Sequence, residues 1–148
     1  MKKTRSMPFA CLRCLLPALL LAGCSDSSTN DPGEFIGTSY HIDCDVGSAG
    51  DGSMHAPWNS VEAANDVVLA PGDSLLLRRG TTCVGMLKPQ GSGSAENRIL
   101  VGAFGDGPLP RIDAQGDFHS AVHLEDVSHI LVRDLELTNR GNPADPHR

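Results

Sequence analysis

Three aspartates in a short polar stretch are the first residues of this 148-residue chain that could do chemistry: Asp43, Asp45 and Asp51. Carboxylate oxygens are ligands that Ca²⁺ prefers in proteins, so the cluster could form a calcium site. Its spacing does not match an EF-hand loop, and aspartates in tight loops often accept hydrogen bonds from the backbone two residues on. The sequence therefore leaves two interpretations open, a calcium site and a set of turn-stabilising carboxylates.

The other side chains capable of chemistry do not form a recognisable catalytic set. His119, His123 and His129 lack the spacing of metal ligands and are predicted to lie at the surface on strand edges. Arg133 and Arg140 could face a sugar acid or form surface ion pairs. A hydrolase nucleophile elbow is absent, because the chain has no Gly-x-Ser-x-Gly motif. The catalytic residues are therefore unknown from the sequence alone.

Two of the five cysteines are candidates for a disulfide. Cys11, Cys14 and Cys24 lie near the N-terminus, which leaves Cys44 and Cys83 in the main part of the chain. In an exported protein such an even pair favours a disulfide, and two buried free thiols are the alternative. The spacing of the pair does not fit a structural zinc site.

The N-terminus has the composition of an export signal, in which basic residues are followed by a short apolar stretch. The stretch, residues 15–21, is far shorter than the roughly 20 apolar residues that span a bilayer. It runs into Leu21-Ala22-Gly23-Cys24, which resembles the lipobox of bacterial lipoproteins. The resemblance implies a lipoprotein signal peptide over residues 1–23 and lipid attachment at Cys24; a plain secretory signal is the alternative. The same resemblance implies that Ser25, after the cysteine, favours the outer membrane, where the anchored protein would face the periplasm or the cell surface.

The charge of the remaining chain narrows the range of partners. The predicted signal peptide holds four of the 12 Lys and Arg residues and none of the 18 Asp and Glu residues. Its removal leaves 8 bases against 18 acids, a net charge of −10. Such an acidic surface argues against nucleic acid as a partner, whereas the membrane remains a predicted partner through the lipid anchor.

After the signal peptide the sequence predicts a flexible polar tether over residues 24–39 and a β-rich domain over residues 40–148. One helix is predicted near residues 59–69, capped by Asn59, with Val61, Ala64 and Val68 on one face. Short apolar runs between turn residues suit strands at 75–77, 84–87, 99–101, 111–113, 121–124 and 130–137. The alternation of the last run breaks at Arg133-Asp134, which predicts a corner between two strands there.

The apolar runs also recur at a regular spacing. Leu76, Leu100 and Val122 form one series and Leu87, Ile112 and Leu135 form another, with separations of 22 to 25 residues. Such a period is typical of a solenoid, in which successive turns of the chain stack on one another.

Several short motifs follow one another in a specific order. They are Asp51-Gly52-Ser53, Ala56-Pro57-Trp58, Pro71-Gly72-Asp73, Arg79-Gly80-Thr81-Thr82, Gly102-Ala103-Phe104-Gly105 and the segments at 92–99 and 127–139. This order resembles the N-terminal part of the pectate-lyase-like proteins. The resemblance implies an all-β fold: an incomplete right-handed parallel β-helix (solenoid) with an N-terminal capping α-helix. Residues 40–148 would hold the cap and the first rungs of a truncated coil.

The same resemblance implies a protein that acts on or binds polysaccharide when full length. Lyases of this kind remove a proton next to a uronate carboxylate and stabilise the charge with Ca²⁺ or positive side chains. The resemblance places those residues mostly beyond Arg148. We therefore expect this chain to be an inactive fragment of a lipid-anchored cell-envelope polysaccharide lyase. The alternative is a non-catalytic surface lipoprotein that binds glycan or has a structural role, and enzymatic activity stays open.

Overall fold

The computed structural model describes residues 35–141, and these residues carry seven strands and one short helix. The elements in chain order are β1 (Ser39–Ile42), α1 (Val61–Asn65), β2 (Ser74–Arg78), β3 (Thr82–Val84), β4 (Ile99–Phe104), β5 (Arg111–Asp113), β6 (Ile130–Val132) and β7 (Glu136–Thr138). The predicted signal peptide, residues 1–23, and Cys24 lie outside the described residues. No helix in the described part has the length and apolar character that a membrane crossing would need.

The strands are arranged in two parallel sheets. One has the order β1-β2-β4-β6, and the other has the order β3-β5-β7. Because neighbouring strands are parallel, the chain must leave a sheet and return before it adds the next strand. It does so by alternating between the sheets, since β2 is followed by β3, β4 by β5 and β6 by β7. Neighbours within a sheet are therefore distant in sequence.

Alternate side chains of these short strands meet in one apolar core. Leu75 and Leu77 of β2 are buried there, and Val101 of β4 lies opposite Leu75. In the second sheet, Cys83 of β3 lies opposite Ile112 of β5, and both are fully buried. Full burial of a Leu, Ile or Val side chain contributes about 1.5–3 kcal/mol, so this cluster is a main source of stability.

This architecture corrects the predicted fold class. The incomplete right-handed parallel β-helix (solenoid) with an N-terminal capping α-helix is wrong as a prediction, because the described strands form two parallel sheets. The run predicted as a strand at 84–87 contributes Val84 to the end of β3 and otherwise the isolated bridge between Leu87 and Val122. Gly85 and Pro89 flank Leu87, and a proline has no N–H with which to continue a ladder.

The predicted helix lies within the expected range but is shorter, and its role as an N-terminal cap is wrong. It was expected near residues 59–69, but the helix covers only Val61–Asn65 and follows β1 instead of opening the fold. Ser60 caps it in place of Asn59, since the Ser60 hydroxyl accepts a hydrogen bond from the Ala63 N–H.

Tertiary hydrogen bonds explain why the helix stops where it does. Asn65 Nδ2 donates to the Met86 carbonyl at 2.9 Å, and Asn65 Oδ1 accepts from the Lys88 N–H at 2.6 Å. Val68, which was expected on the buried helical face, is 70% exposed and bridges to Gln90. The second half of the predicted helix does not form, because β-branched valines such as Val68 support a helix only weakly.

The residues that mark the two repeat series do not lie opposite one another in the sheets. Leu76 lies opposite Gly102, two positions beyond Leu100. Ile112 lies opposite Leu137, two positions beyond Leu135. A shift of two residues keeps the same set of side chains on each face, so the apolar spacing alone does not distinguish these registers.

The predicted corner at Arg133-Asp134 is confirmed. β6 ends at Val132 in the first sheet, and β7 begins at Glu136 in the second. Asp134 adopts a φ of 59°, a left-handed conformation that aspartate tolerates better than most residues. The break in alternation therefore marks the point where the chain passes from one sheet to the other.

The described residues include the last part of the predicted tether over residues 24–39. Ser39 already belongs to β1, and the Thr38 N–H donates to Asp73 Oδ1 at 2.7 Å. Asp73 is buried and also accepts from the Ala70 N–H at 2.8 Å. Its carboxylate thus fixes the start of β1 to the turn before β2.

A disulfide joins Cys44, just after β1, to Cys83 in β3. The two Cα atoms are 5.3 Å apart. The bond links a segment that leaves the four-stranded sheet to a strand of the three-stranded sheet, and it joins the two cysteines that the sequence paired.

Candidate functional site

The outward side of β5 and β7 carries polar side chains around a shallow cavity of about 190 Å³. The residues that line it, here called the polar face, are Arg111, Asp113, Glu136, Thr138 and Arg140. Pockets for drug-sized ligands typically measure about 300–1,000 Å³, so this cavity suits one small group rather than a whole ligand.

Alternation along two short strands builds the polar face. Ile112 is fully buried, so Arg111 and Asp113 on either side of it point away from the core. Glu136 and Thr138 occupy the equivalent positions of β7. The parallel register places Arg111 opposite Glu136 and Asp113 opposite Thr138.

An ion pair crosses the polar face. Arg111 Nη2 lies 3.0 Å from Glu136 Oε1, and each side chain is 45% exposed. Exposed pairs contribute about 0–1 kcal/mol to stability, so this one orients the guanidinium more than it stabilises the fold. With Asp113 and Arg140 the face holds two positive and two negative groups, a local balance unlike the acidic chain as a whole.

The rim of the cavity is fixed by hydrogen bonds between the loop after β5 and the end of β7. Asn139 Oδ1 accepts from the Gly116 N–H at 2.9 Å, and Asn139 Nδ2 donates to the Phe118 carbonyl at 3.0 Å. Asp113 Oδ1 accepts from the Gln115 N–H at 2.9 Å. These bonds hold Asp113 in place before any ligand arrives.

Thr138 adds a hydrogen-bonding group that the described residues leave unused. Its Oγ1 atom is buried without a partner among them, and the residue lines the cavity. A buried polar atom without a hydrogen bond costs about 1–3 kcal/mol. Because this atom is buried, it is not open to a ligand in this conformation.

The arrangement suits recognition better than catalysis. Guanidinium, carboxylate and hydroxyl groups supply donors and acceptors for a ligand rich in hydroxyl groups. Glycoside hydrolysis needs two carboxyl groups that flank the scissile bond and divide the acid and base or nucleophile roles. Here Glu136 is engaged by Arg111, and Asp113 is engaged by its own turn. The two carboxylates of the polar face therefore already have structural partners.

The structure does not gather the predicted calcium ligands into a metal site. Asp43 is buried, its Oδ2 lies 2.5 Å from Arg78 Nη1, and its Oδ1 accepts from the Asp45 N–H at 3.1 Å. Asp51 Oδ1 accepts from the Ser53 N–H at 2.9 Å. Within the described part of the chain, no group of three His, Cys, Asp or Glu side chains is placed to hold a metal ion. The contacts observed for Asp43 and Asp51 are an ion pair and hydrogen bonds within turns.

The three histidines do not form a cluster, and two of them make separate local contacts. His123 Nε2 lies 3.7 Å from Glu125 Oε2, and His129 Nδ1 lies 3.2 Å from Ser128 Oγ. His119 is exposed. No metal group within residues 35–141 includes any of them.

The two arginines considered for a sugar acid have different surroundings. Arg133 Nε lies 3.6 Å from Asp134 Oδ2, so Arg133 forms a surface ion pair with its sequence neighbour. Arg140 lines the polar face. The other four members of that face were not predicted from the sequence. A signal was present, since Arg-Ile-Asp and Glu-Leu-Thr each place polar residues on both sides of one apolar residue.

Comparison with known proteins connects the chain to lacto-N-biosidases. The lacto-N-biosidase of Bifidobacterium longum subsp. longum is 32% identical over a match that covers 70% of this chain and 8% of that protein. The crystal structure of the GH136 lacto-N-biosidase from Eubacterium ramulus, as its selenomethionine derivative, matches with a TM-score of 0.68 and 30% identity. That match covers 76% of this chain and 23% of that one. The native structure of the same enzyme gives a TM-score of 0.64 and 28% identity, with 75% and 22% covered. No family model matches the chain.

These relatives correct the family resemblance drawn from the sequence. The chain is similar to GH136 lacto-N-biosidases, which are glycoside hydrolases, so its assignment as a bacterial lipoprotein of the pectate-lyase-like family is wrong. The comparisons give no support for a lipid anchor. Short parallel strands between glycine- and aspartate-rich turns occur in proteins of different activities, which is why the pattern misidentified the family. The chain spans less than a tenth of the curated relative and less than a quarter of the solved structures.

Proposed function

We propose that this chain forms a glycan-contacting part of a glycoside hydrolase of the lacto-N-biosidase type. The observation that carries the proposal is the likeness to the Eubacterium ramulus enzyme, with 30% identity and a TM-score of 0.68 across 76% of this chain. Folds are shared by proteins of unrelated function, so the agreement of sequence and fold over one region carries more weight than the fold alone.

The polar face supports the proposal on chemical grounds. Arg111 and Arg140 present donors, and Asp113 and Glu136 present acceptors. Sugar hydroxyls both donate and accept, so a face with mixed groups and balanced charge suits a neutral glycan. The hydrogen bonds of Asn139 fix the loop beside this face before a ligand binds. Less conformational entropy is therefore lost on binding.

The proposal assigns glycan contact to the described residues and hydrolysis to the whole protein. The carboxylates Asp113 and Glu136 are held in structural contacts, so we give neither the role of acid or nucleophile. The polar face would instead orient the glycan for groups that act on the scissile bond.

Hydrolysis of p-nitrophenyl lacto-N-bioside by the purified protein tests the proposal. Release of p-nitrophenol and lacto-N-biose, with a lower rate for Arg111→Ala, would support it. The matched substrate control is an oligogalacturonate, which a pectate lyase would convert to an unsaturated product. A protein that neither hydrolyses nor binds the lacto-N-bioside would contradict the proposal.

A second candidate is a protein that binds glycans without hydrolysing them. The specific observation in its favour is that both carboxylates of the polar face already have partners. Calorimetric binding of lacto-N-biose without any p-nitrophenol release would favour this candidate over the hydrolase.

A further inference from the structure

A second cavity, of about 270 Å³, lies beside β1 and apart from the polar face. Thr38, Ser39, Tyr40, Asp51, Gly52 and Ser53 line it. One wall comes from the start of β1, an edge strand of the four-stranded sheet, and the opposite wall comes from the loop at 51–53. The polar face belongs to the other sheet, so the two sites are built from different parts of the fold.

The aromatic ring in this cavity belongs to Tyr40 and is fixed by packing against a second aromatic residue. Tyr40 stacks on Trp58 with ring centroids 5.4 Å apart and planes within 9° of parallel. Trp58 is only 8% exposed and packs in turn against Gly52. A Cβ atom at Gly52 would lie 2.6 Å from the Trp58 ring, so only glycine allows this close approach. The Tyr40 ring is therefore a partly buried platform with a fixed plane.

The loop that faces this ring is also fixed. The His41 N–H donates to the Gly52 carbonyl at 2.8 Å, which ties the loop to β1. Hydrogen bonds from Ser53 lower the pKa of Asp51. The side chain of Ser53 has the larger effect and its backbone N–H the smaller one. Asp51 consequently stays ionised over a wide pH range and presents a strong acceptor.

We propose that this cavity binds one neutral sugar ring, which lies against Tyr40 and donates hydroxyl hydrogen bonds to Asp51. The C–H groups on one face of a pyranose are apolar and pack well on an aromatic ring, and the hydroxyl groups at the rim donate to acceptors. The Thr38, Ser39 and Ser53 residues contribute further polar groups around the same space. The choice of a sugar as the ligand class rests on the proposed function.

The charge of Asp51 and the size of the cavity restrict which sugars could bind there. Asp51 is exposed and ionised, so it disfavours a uronate or another anionic sugar at this position. The cavity lies just below the range of about 300–1,000 Å³ that is usual for drug-sized ligands, which suits a single ring. The site would therefore act as a subsite for one neutral residue of a glycan.

The test is calorimetric titration of the full chain with lacto-N-biose, supported by fluorescence. Trp58 is the one tryptophan in the sequence and stacks on the ring that would meet the sugar, so its emission reports on this cavity. The test variants are Tyr40→Ala and Asp51→Ala. A third variant, Tyr40→Phe, keeps the aromatic ring and so shows whether lost binding in Tyr40→Ala comes from the missing ring or from misfolding. Met54→Ala is the matched control, because Met54 lies in the same segment and is exposed.

Three results together would support the subsite. The sugar changes Trp58 emission when it binds, its affinity falls at least about tenfold in Asp51→Ala, and binding is kept in Tyr40→Phe and Met54→Ala. Unchanged affinity in both Tyr40→Ala and Asp51→Ala would overturn it. If Arg111→Ala weakens binding in that case, the proposed function stands without the subsite. Absence of any sugar binding to the wild-type chain would overturn the subsite together with glycan contact by this region.

Discussion

Arg111 of β5 lies directly opposite Glu136 of β7, and their side chains meet with 3.0 Å between Nη2 and Oε1. The backbone sets both positions independently of this pair. The Arg111 N–H donates to the Thr81 carbonyl at 3.0 Å, and the Glu136 N–H donates to the Pro110 carbonyl at 2.9 Å. The charged groups of the polar face can therefore be changed without removing the ladder that carries them.

Substitution of Arg111 is expected to affect binding more than stability. Arg111→Ala removes a charged donor, and a hydrogen bond to a charged group contributes about 1.5–3 kcal/mol, so lacto-N-biose affinity should fall at least about tenfold. The free energy of unfolding should change by no more than about 1 kcal/mol, because the ion pair is exposed. Calorimetric titration and urea unfolding measure the two effects. Arg98→Ala, at another exposed arginine, is the control, and equal loss of affinity in both variants would contradict the prediction.

The apolar core should be sensitive to truncation. Leu77 is fully buried between the strands, so Leu77→Ala is expected to lower the free energy of unfolding by about 2–5 kcal/mol. Leu109→Ala is the matched control, because Leu109 is 44% exposed and should lose far less. Urea unfolding of the two variants provides the measurement. Similar losses at both positions would show that Leu77 does not occupy a packed core.

The disulfide should stabilise the fold by constraining the unfolded chain. Cys44 and Cys83 are 39 positions apart, and closing a loop of that length is worth about 3–4 kcal/mol in the chain-entropy model. The double variant Cys44→Ser, Cys83→Ser should unfold at a correspondingly lower urea concentration. Thiol titration of unreduced, denatured protein provides the control. Two reactive thiols from Cys44 and Cys83 in that assay would contradict the bond.

His41 should make stability depend on pH. It is 7% exposed, its Nδ1 has no partner among the described residues, and burial lowers its pKa below the usual 6.5. The unfolded state then binds a proton before the folded state does. This contribution is present above about pH 6.5 and is lost as the pH falls toward the folded-state pKa.

Urea unfolding at about pH 7.5 and about pH 5.5 measures this effect. The wild-type chain should lose more stability on acidification than His41→Gln, while His55→Gln should behave like wild type because His55 is exposed. An identical pH dependence in wild type and His41→Gln would show that His41 carries no such linkage.

Local features of the sequence predicted part of the fold, and tertiary pairing decided the rest. The break at Arg133-Asp134 gave the corner correctly, because alternation along a strand is a local property. Strand register depends on a distant partner, so the regular spacing of Leu76 and Leu100 did not show that Leu76 lies opposite Gly102. The helix was overextended because Val68 pairs with a distant strand segment instead of continuing the helical pattern.

Less of the candidate site than of the fold could be predicted from the sequence. Arg111 and Glu136 become neighbours only through the parallel pairing of β5 and β7, and neither residue stands in a motif with a known chemistry. The aspartates at 43, 45 and 51 attracted attention because they are close in sequence, yet the structure uses them in an ion pair and in turns. The similarity to lacto-N-biosidases was missed because proteins of different activities share this strand pattern.

Chemical-shift mapping tests glycan contact at the polar face most directly. The ¹H–¹⁵N spectrum of the labelled chain would be recorded during titration with lacto-N-biose. We expect saturable shifts at the backbone amides of Arg111, Asp113, Glu136, Thr138 and Arg140, and loss of those shifts in Arg111→Ala. A titration that leaves these five amides unmoved while the sugar binds elsewhere, or that moves no amide at all, would contradict glycan contact at this face.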